Sequence, residues 1–225
     1  MMQYEGFTIR LKSEYELFLF ALSGRYLSVM TPGVSVSPML INQFEQSSGE
    51  LRDTFLKTAN RTVADYLGVT DLDTVKALSL GFADELARAT RQNIDSLVNR
   101  MKGAKNSELD AVGEVHGAMG LLLQRKLATP EFNVVSESGR TFKAVPFVKS
   151  QARQFAYQSW LQIQMMGLSW EGDLAQVIYD DEGHKNNGLV FSMSGATKGY
   201  PSFDDIAETI FHYNAKAKIG PYVSP

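Results

Sequence analysis

The sequence predicts an α+β fold that is mostly helical, with long helices in the N-terminal part and a small C-terminal α+β module. Three observations carry that reading. Between about residues 39 and 127, apolar side chains recur at three- and four-residue steps, the period of a helix with a buried face. After Thr129-Pro130 the pattern changes to short β-branched and aromatic runs separated by polar, glycine-containing turns. The 225 residues, 44% hydrophobic and 21% charged, suit one compact domain or a helical segment with a smaller second unit. The expected division is a helical domain at 1–128, with a linker or arm at about 31–38, and an α+β module at 129–225.

Ser13-Glu14-Tyr15-Glu16 reads as a capping box and so as the start of the first helix, the Ser13 hydroxyl accepting from the Glu16 amide. Leu17, Phe18, Phe20, Ala21, Tyr26, Leu27 and Met30 follow, apolar over much of the circumference, as expected of a buried helix. Pro32, Gly33 and Pro38 then break helix, and the stretch around Val34 to Pro38 reads as a linker, with an arm or short edge strand as the alternatives. Leu51, Phe55, Ala59, Val63 and Tyr66 predict the next helix, closed by Gly68. Asp71 is the expected cap of a third helix of about 30 residues, whose stripe includes Val75, Leu78, Phe82, Leu86, Ile94 and Met101. Ser107 opens another, in which Gly113, Gly117 and Gly120 point to close approach of a neighbouring backbone.

In the second part, Phe132–Val135 reads as a short strand and Ser136–Arg140 as a turn. Pro146 suits the first turn of a helix running through Phe155 and Trp160 to about Gly167. Leu174–Tyr179 and Leu189–Met193 read as strands parted by the polar turn Asp180–Gly188, and Ile219–Val223 as a third.

Composition narrows the chemistry. The chain has no cysteine, which removes disulfides, thiol catalysis and thiolate metal sites. With 22 basic and 25 acidic residues the net charge is −3, so bulk affinity for nucleic acid is disfavoured and only a local patch is expected to serve. The run Leu17–Leu22 is far shorter than the roughly 20 residues of a spanning helix. No basic leader with a small-residue cleavage site is evident, and a protein made in the cytoplasm is expected.

Three histidines are present: His116, His184 and His212. His116 reads as a helix histidine of surface or core. Asp181, Glu182 and His184, completed by His212 from a distance, have the donor types of a hard-cation or zinc site; a solvated acidic turn is the plainer reading. Ser192-Met193-Ser194-Gly195 lacks the glycine-flanked nucleophile elbow. Gly195-Ala196-Thr197-Lys198-Gly199 lacks the order of a phosphate loop and reads as a surface turn. Lys198, Lys216 and Lys218, with Lys143, Lys149, Arg153 and Lys185, offer a cationic face interleaved with aromatics, although seven acidic residues of the same module offset it.

Five segments, in this order, resemble a known family. They are Ser138-Gly139-Arg140-Thr141-Phe142; Ser150-Gln151-Ala152-Arg153-Gln154; Gly172-Asp173-Leu174-Ala175-Gln176-Val177; Gly188-Leu189-Val190-Phe191-Ser192-Met193-Ser194-Gly195-Ala196-Thr197-Lys198-Gly199-Tyr200-Pro201-Ser202; and Ile210-Phe211-His212-Tyr213-Asn214-Ala215-Lys216-Ala217 followed by Pro221-Tyr222-Val223. Over about residues 138–225 the chain is similar to the minor head (minor capsid) proteins of tailed bacteriophages, relatives of the Mu F-like head-morphogenesis family. Many of those relatives carry a Cys-x-x-Cys before the Gly-x-Val-Phe-Ser strand and a Cys-x-His in the terminal box, a pattern resembling a zinc knot. By register from Gly188 the first pair falls here on Asp181 and His184, and Ala215 and Ala217 occupy the second. No metal or cofactor is therefore expected; packing by Phe191, Tyr200, Phe203, Phe211, Tyr213 and Tyr222 is expected to take its place.

The resemblance implies a non-enzymatic virion protein of low copy near the portal vertex, acting in head assembly or in DNA packaging or ejection. The partners it implies are the portal and/or major capsid protein, with copies arranged on the portal ring, packaged DNA as a further contact, and no membrane. The expected docking surface is Phe82, Leu86 and Ile94 of the long third helix, and the expected nucleic-acid contacts are Lys198, Lys216 and Lys218. The competing expectation is a metal-dependent hydrolase or nuclease using Asp181, Glu182, His184 and His212.

Overall fold

A computed structural model of the chain describes residues 2–30, 36–68, 71–103, 132–212, 214–215 and 217–222. The helix expected from Ser107 with its glycines, His116, Thr129-Pro130, Tyr213 and Lys216 lie outside those residues, as do 31–35 of the expected linker. The fold is α+β and mainly helical, as the periodicity predicts.

The first helix, α1, spans Met2–Val29 and does not begin at Ser13. Phe7, Leu11, Tyr15, Phe18 and Leu22 form its buried stripe, and Phe7 packs against Tyr66, Phe82 and Phe155 with ring centroids 4.7, 6.3 and 5.7 Å away. Those tertiary contacts carry the helix through Ser13, whose capping pattern is a local match inside a longer element. Nor is α1 buried all round: Leu17 is 68% and Phe20 74% exposed.

Helix α2, Pro38–Leu67, opens where the sequence pointed to a break. Ser37 is its N-cap, accepting from the Leu40 amide at 3.3 Å, and Pro38 sits in the first turn, where its missing N–H costs nothing. Gly68 closes the helix at φ +62°, donating to the Ala64 carbonyl at 2.9 Å. Helix α3, Asp73–Gly103, has the predicted length, but Asp71 takes the Lys76 ammonium at 2.5 Å.

The chain then forms a two-stranded ribbon, β1 (Asn133–Val135) and β2 (Thr141–Lys143), antiparallel with Val134 opposite Phe142. Gly139 at φ +77° turns between them. Gln92 of α3 holds the outer edge of β1: its carbonyl accepts the Val135 N–H at 2.7 Å and its amide donates to the Val135 carbonyl at 3.1 Å. Helix α4 follows directly, Ala144–Leu168. The last sheet has the order β4-β3-β5 and is antiparallel: β3 (Leu174–Ile178) lies between β4 (Val190–Ser192) and β5 (Lys218–Pro221). Between β4 and β5 runs α5, Phe203–Ile210, which the sequence reading missed. Its start is a capping box of Ser202 and Asp205.

Two apolar clusters meet on α4. Phe147, Val148, Ala152, Phe155 and Ala156 join α1, α2, α3 and β1 in the larger. Tyr157, Leu161 and Met165, later on the same helix, join β3, β4, α5 and β5 in the smaller. Among the described residues no helix is long and apolar enough to cross a membrane.

Candidate functional site

The small sheet gathers most of the residues singled out from sequence. At one end of β3, Asp173 accepts from the Ser194 amide at 2.8 Å, from the Thr197 hydroxyl at 2.6 Å and from the Ser192 hydroxyl. The Ser192 oxygen in turn accepts the Thr197 N–H at 3.3 Å, and the Ser194 oxygen the Ala196 N–H at 3.2 Å. Partial burial works against ionisation of Asp173, but the donors from Ser192, Ser194 and Thr197 outweigh it and hold the carboxyl well below the usual carboxylate range. This knot leaves no amide of Ser194, Ala196 or Thr197 for a phosphate, and Ser192 is fully buried without a histidine partner. Its chemistry is that of a clamp on the 192–200 turn. Only its joining of Gly172-Asp173 to Ser192-x-Ser194-x-x-Thr197 escapes the sequence, because the partners lie up to 24 residues apart.

At the other end of β3 the turn at 180–188 returns the chain to β4. His184 stacks on Tyr179 with centroids 3.6 Å apart and planes at 23°, and its Nδ1 accepts the Asn186 N–H at 3.3 Å. His184 and His212 line one cavity of about 380 Å³, with Lys185, Thr209 and Ala215 also on its wall. Asp181 and Glu182 do not line it: Asp181 is exposed and accepts the Gly183 N–H at 3.0 Å, and Glu182 is exposed on the same turn. Two of the four proposed ligands are thus brought together and two are not. Among the described residues no group of three His, Asp or Glu side chains is placed to hold a metal.

The zinc of the resembling family does not fit the residues present. Ala215 and Ala217 supply no donor, Asp181 points its Oδ1 at its own turn, and the Nδ1 of His184 already accepts a backbone hydrogen. Phe191, Phe203 and Phe211 pack together with centroids 5.3–6.1 Å apart, but none of them lines the cavity of His184 and His212. Tyr200 is 39% exposed and stands outside that trio.

The expected docking residues are corrected. Phe82, Leu86 and Ile94 are 5%, 1% and 2% exposed, covered by the chain's own α1, α2 and α4, and they present no surface. The exposed apolar side chains are elsewhere: Ile9, Leu17 and Phe20 share the outer face of α1, and Trp170 stands 88% exposed after α4. Of the expected nucleic-acid contacts, Lys198 sits on the turn clamped by Asp173, Lys216 lies outside the described residues, and Lys218 on β5 is paired with Asp180. Lys218 is thereby neutralised in place, which shrinks the cationic face.

Comparison of the chain with protein-family models, with curated proteins and with solved structures gives no match.

Proposed function

We propose that the protein is a structural or morphogenetic component of a tailed-phage or prophage head, of low copy, at the portal vertex, without catalytic activity. One observation carries the proposal. The register that aligns this chain with minor head proteins assigns the relatives' ligand places to positions far apart in sequence, among them His184 and Ala215. Those two positions line one cavity with His212, the first histidine of the terminal box. Nearness of separate segments that the resemblance treats as one site supports the reading, with two of the four places, His184 and Ala215, on the cavity wall.

The outer face of α1 supports the same reading. Ile9, Leu17 and Phe20 are three large apolar side chains on one unpartnered helix face, and exposed patches of this kind mark protein–protein contacts. In the proposal this face, in place of the buried stripe of α3, meets the portal or the major capsid protein. Packaged DNA is a secondary contact through Lys198.

Quantitative mass spectrometry of purified mature particles tests it. A low, fixed copy number alongside portal and capsid proteins is the expected result. Particles in which those proteins are detected and this one is absent would overturn it. The metal-dependent hydrolase reading predicts metal retained on purification; the scattered positions of Asp181 and Glu182 do not favour it.

A further inference from the structure

The cavity shared by His184 and His212 is poor in metal ligands but rich in hydrogen-bond donors. Its volume of about 380 Å³ falls within the roughly 300–1,000 Å³ of small-molecule sites. His184 and Lys185 come to its wall from the 180–188 turn, and His212 from the chain just after α5. None of the lining residues is a carboxylate. Asp180, beside the cavity in sequence, is paired with Lys218, and Asp181, Glu182 and Glu208 are exposed and stand off the wall. Lys185 has no anionic partner among the described residues, so its charge is uncompensated there. A recess whose one fixed charge is positive gathers anions.

His184 decides the kind of ligand. Its Nδ1 accepts the Asn186 N–H at 3.3 Å, so the hydrogen of the ring sits on Nε2. Stacking on Tyr179, with centroids 3.6 Å apart, fixes the ring plane. The ring therefore offers an N–H and no free lone pair, which suits an anion and does not suit a metal. The His212 side chain is exposed and hydrogen-bonds to no described residue, leaving a second imidazole for the ligand. Thr209 adds no donor, since its hydroxyl donates to the Ile206 carbonyl at 3.2 Å. Three donors on three side chains, one of them an ammonium, match a phosphate, whose oxygens spread in three dimensions; a carboxylate presents only two, in one plane. Ile210 and Ala215 supply apolar wall beside them.

We infer that this cavity binds a phosphate group, held by Lys185, by the Nε2–H of His184 and by His212, with room for the organic part of a phosphate ester. The inference is independent of the head-assembly proposal, since it concerns the purified chain alone.

The test is a titration of the full chain with inorganic phosphate at pH 7 and constant ionic strength, followed by nitrogen-15 NMR of the imidazoles. Before phosphate is added, His184 is expected to carry its hydrogen on Nε2. On titration His184 and His212 should shift together and saturate with one shared Kd. Lys185→Ala and His212→Ala, both at exposed side chains, should each weaken binding about fivefold, the share of one charge-assisted hydrogen bond open to solvent. Acetate at the same concentrations should leave both rings unmoved. Thymidine 5′-monophosphate and a ten-residue thymidine oligonucleotide then separate the sources: tighter binding of the first assigns the site to small phosphate esters, of the second to a nucleic-acid backbone, and either supports the site. A hydrogen on Nδ1 of His184, shifts that never saturate, a response from one ring alone, equal binding of acetate, or affinity unchanged by Lys185→Ala would each overturn it.

Discussion

Thr197 donates its hydroxyl hydrogen to Asp173 across 2.6 Å, although 24 residues of chain separate them. With Ser192 and Ser194 this bond ties the turn after β4 to the start of β3. Asp173→Asn replaces a charged acceptor by a neutral one and costs about 1 kcal/mol at pH 7, below the usual range for hydrogen bonds to a charged group because the site is partly open to solvent. The folded pKa lies below the unfolded value of about 3.9, so the contribution is complete above about pH 5 and is lost as pH falls through the folded pKa. The gap in denaturant midpoint between the protein and the variant is therefore expected to narrow steadily as pH falls below about 5 and to close only below the folded pKa.

Two buried tyrosines, Tyr15 and Tyr157, and the half-buried Tyr66 set the alkaline limit. Burial, partly offset by the hydrogen bond with Asn93, pushes the Tyr15 phenol well above its ordinary value; burial, then Tyr4 nearby, pushes Tyr66 up to about 12; burial, then Tyr179 and Tyr4, raises Tyr157. Raised folded values mean that the neutral phenols' contribution is intact below the unfolded pKa of about 10 and falls as pH climbs above it. Absorbance at the phenolate band should show these three ionising only together with loss of the circular dichroism signal.

Leu86, 1% exposed in the larger cluster, is a core residue. Leu86→Ala is expected to cost about 2–5 kcal/mol, read as a lower urea midpoint. A loss under about 0.5 kcal/mol would contradict its burial.

On the outer face of α1 the expectation reverses. Leu17→Lys with Phe20→Glu should leave the thermal midpoint within a few degrees, because both side chains are mostly exposed. Incorporation into particles should drop several-fold, measured by mass spectrometry beside the unaltered protein. Unchanged incorporation would remove this face from the proposal.

Gly199, at φ +91°, closes the turn clamped by Asp173. Gly199→Ala forces a side chain into a conformation that favours glycine and is expected to cost about 1–2 kcal/mol by thermal denaturation.

The sequence made the long elements legible and the short and shared ones obscure. Helix α3 showed itself because ten of its residues are buried at helical spacing over 31 residues. Helix α5 did not, because only Ile206 and Ile210 of its eight residues are buried, too few for a period to emerge; its Ser202–Asp205 cap was the available signal. The start of α1 was misplaced because a serine and a glutamate three residues apart are a common local pattern, whereas Phe7 earns its place by contacts with residues as distant as Phe155. The stripe of Phe82, Leu86 and Ile94 was read correctly as apolar, but a stripe covered by the chain's own helices and one covered by a partner look alike along the sequence. At the candidate site, spacing along the chain does not demand that His184 and His212 share a cavity, and the outward turn of Asp181 and Glu182 depends on backbone geometry that composition does not encode.

Helix α4 belongs to both apolar clusters, and the change of allegiance falls between the adjacent residues Ala156 and Tyr157. Those same residues are latched outward on each side, Tyr66 donating to the Ala156 carbonyl at 3.0 Å and Tyr157 to the Ala217 carbonyl at 2.8 Å. Mechanically α4 is a common axle about 37 Å long. Torque applied at the N-terminal helices is delivered to the small sheet through one rigid rod, and neither half can rotate without bending it or shearing a latch. A protein anchored by one half and pulled by the other would carry the load as a single piece.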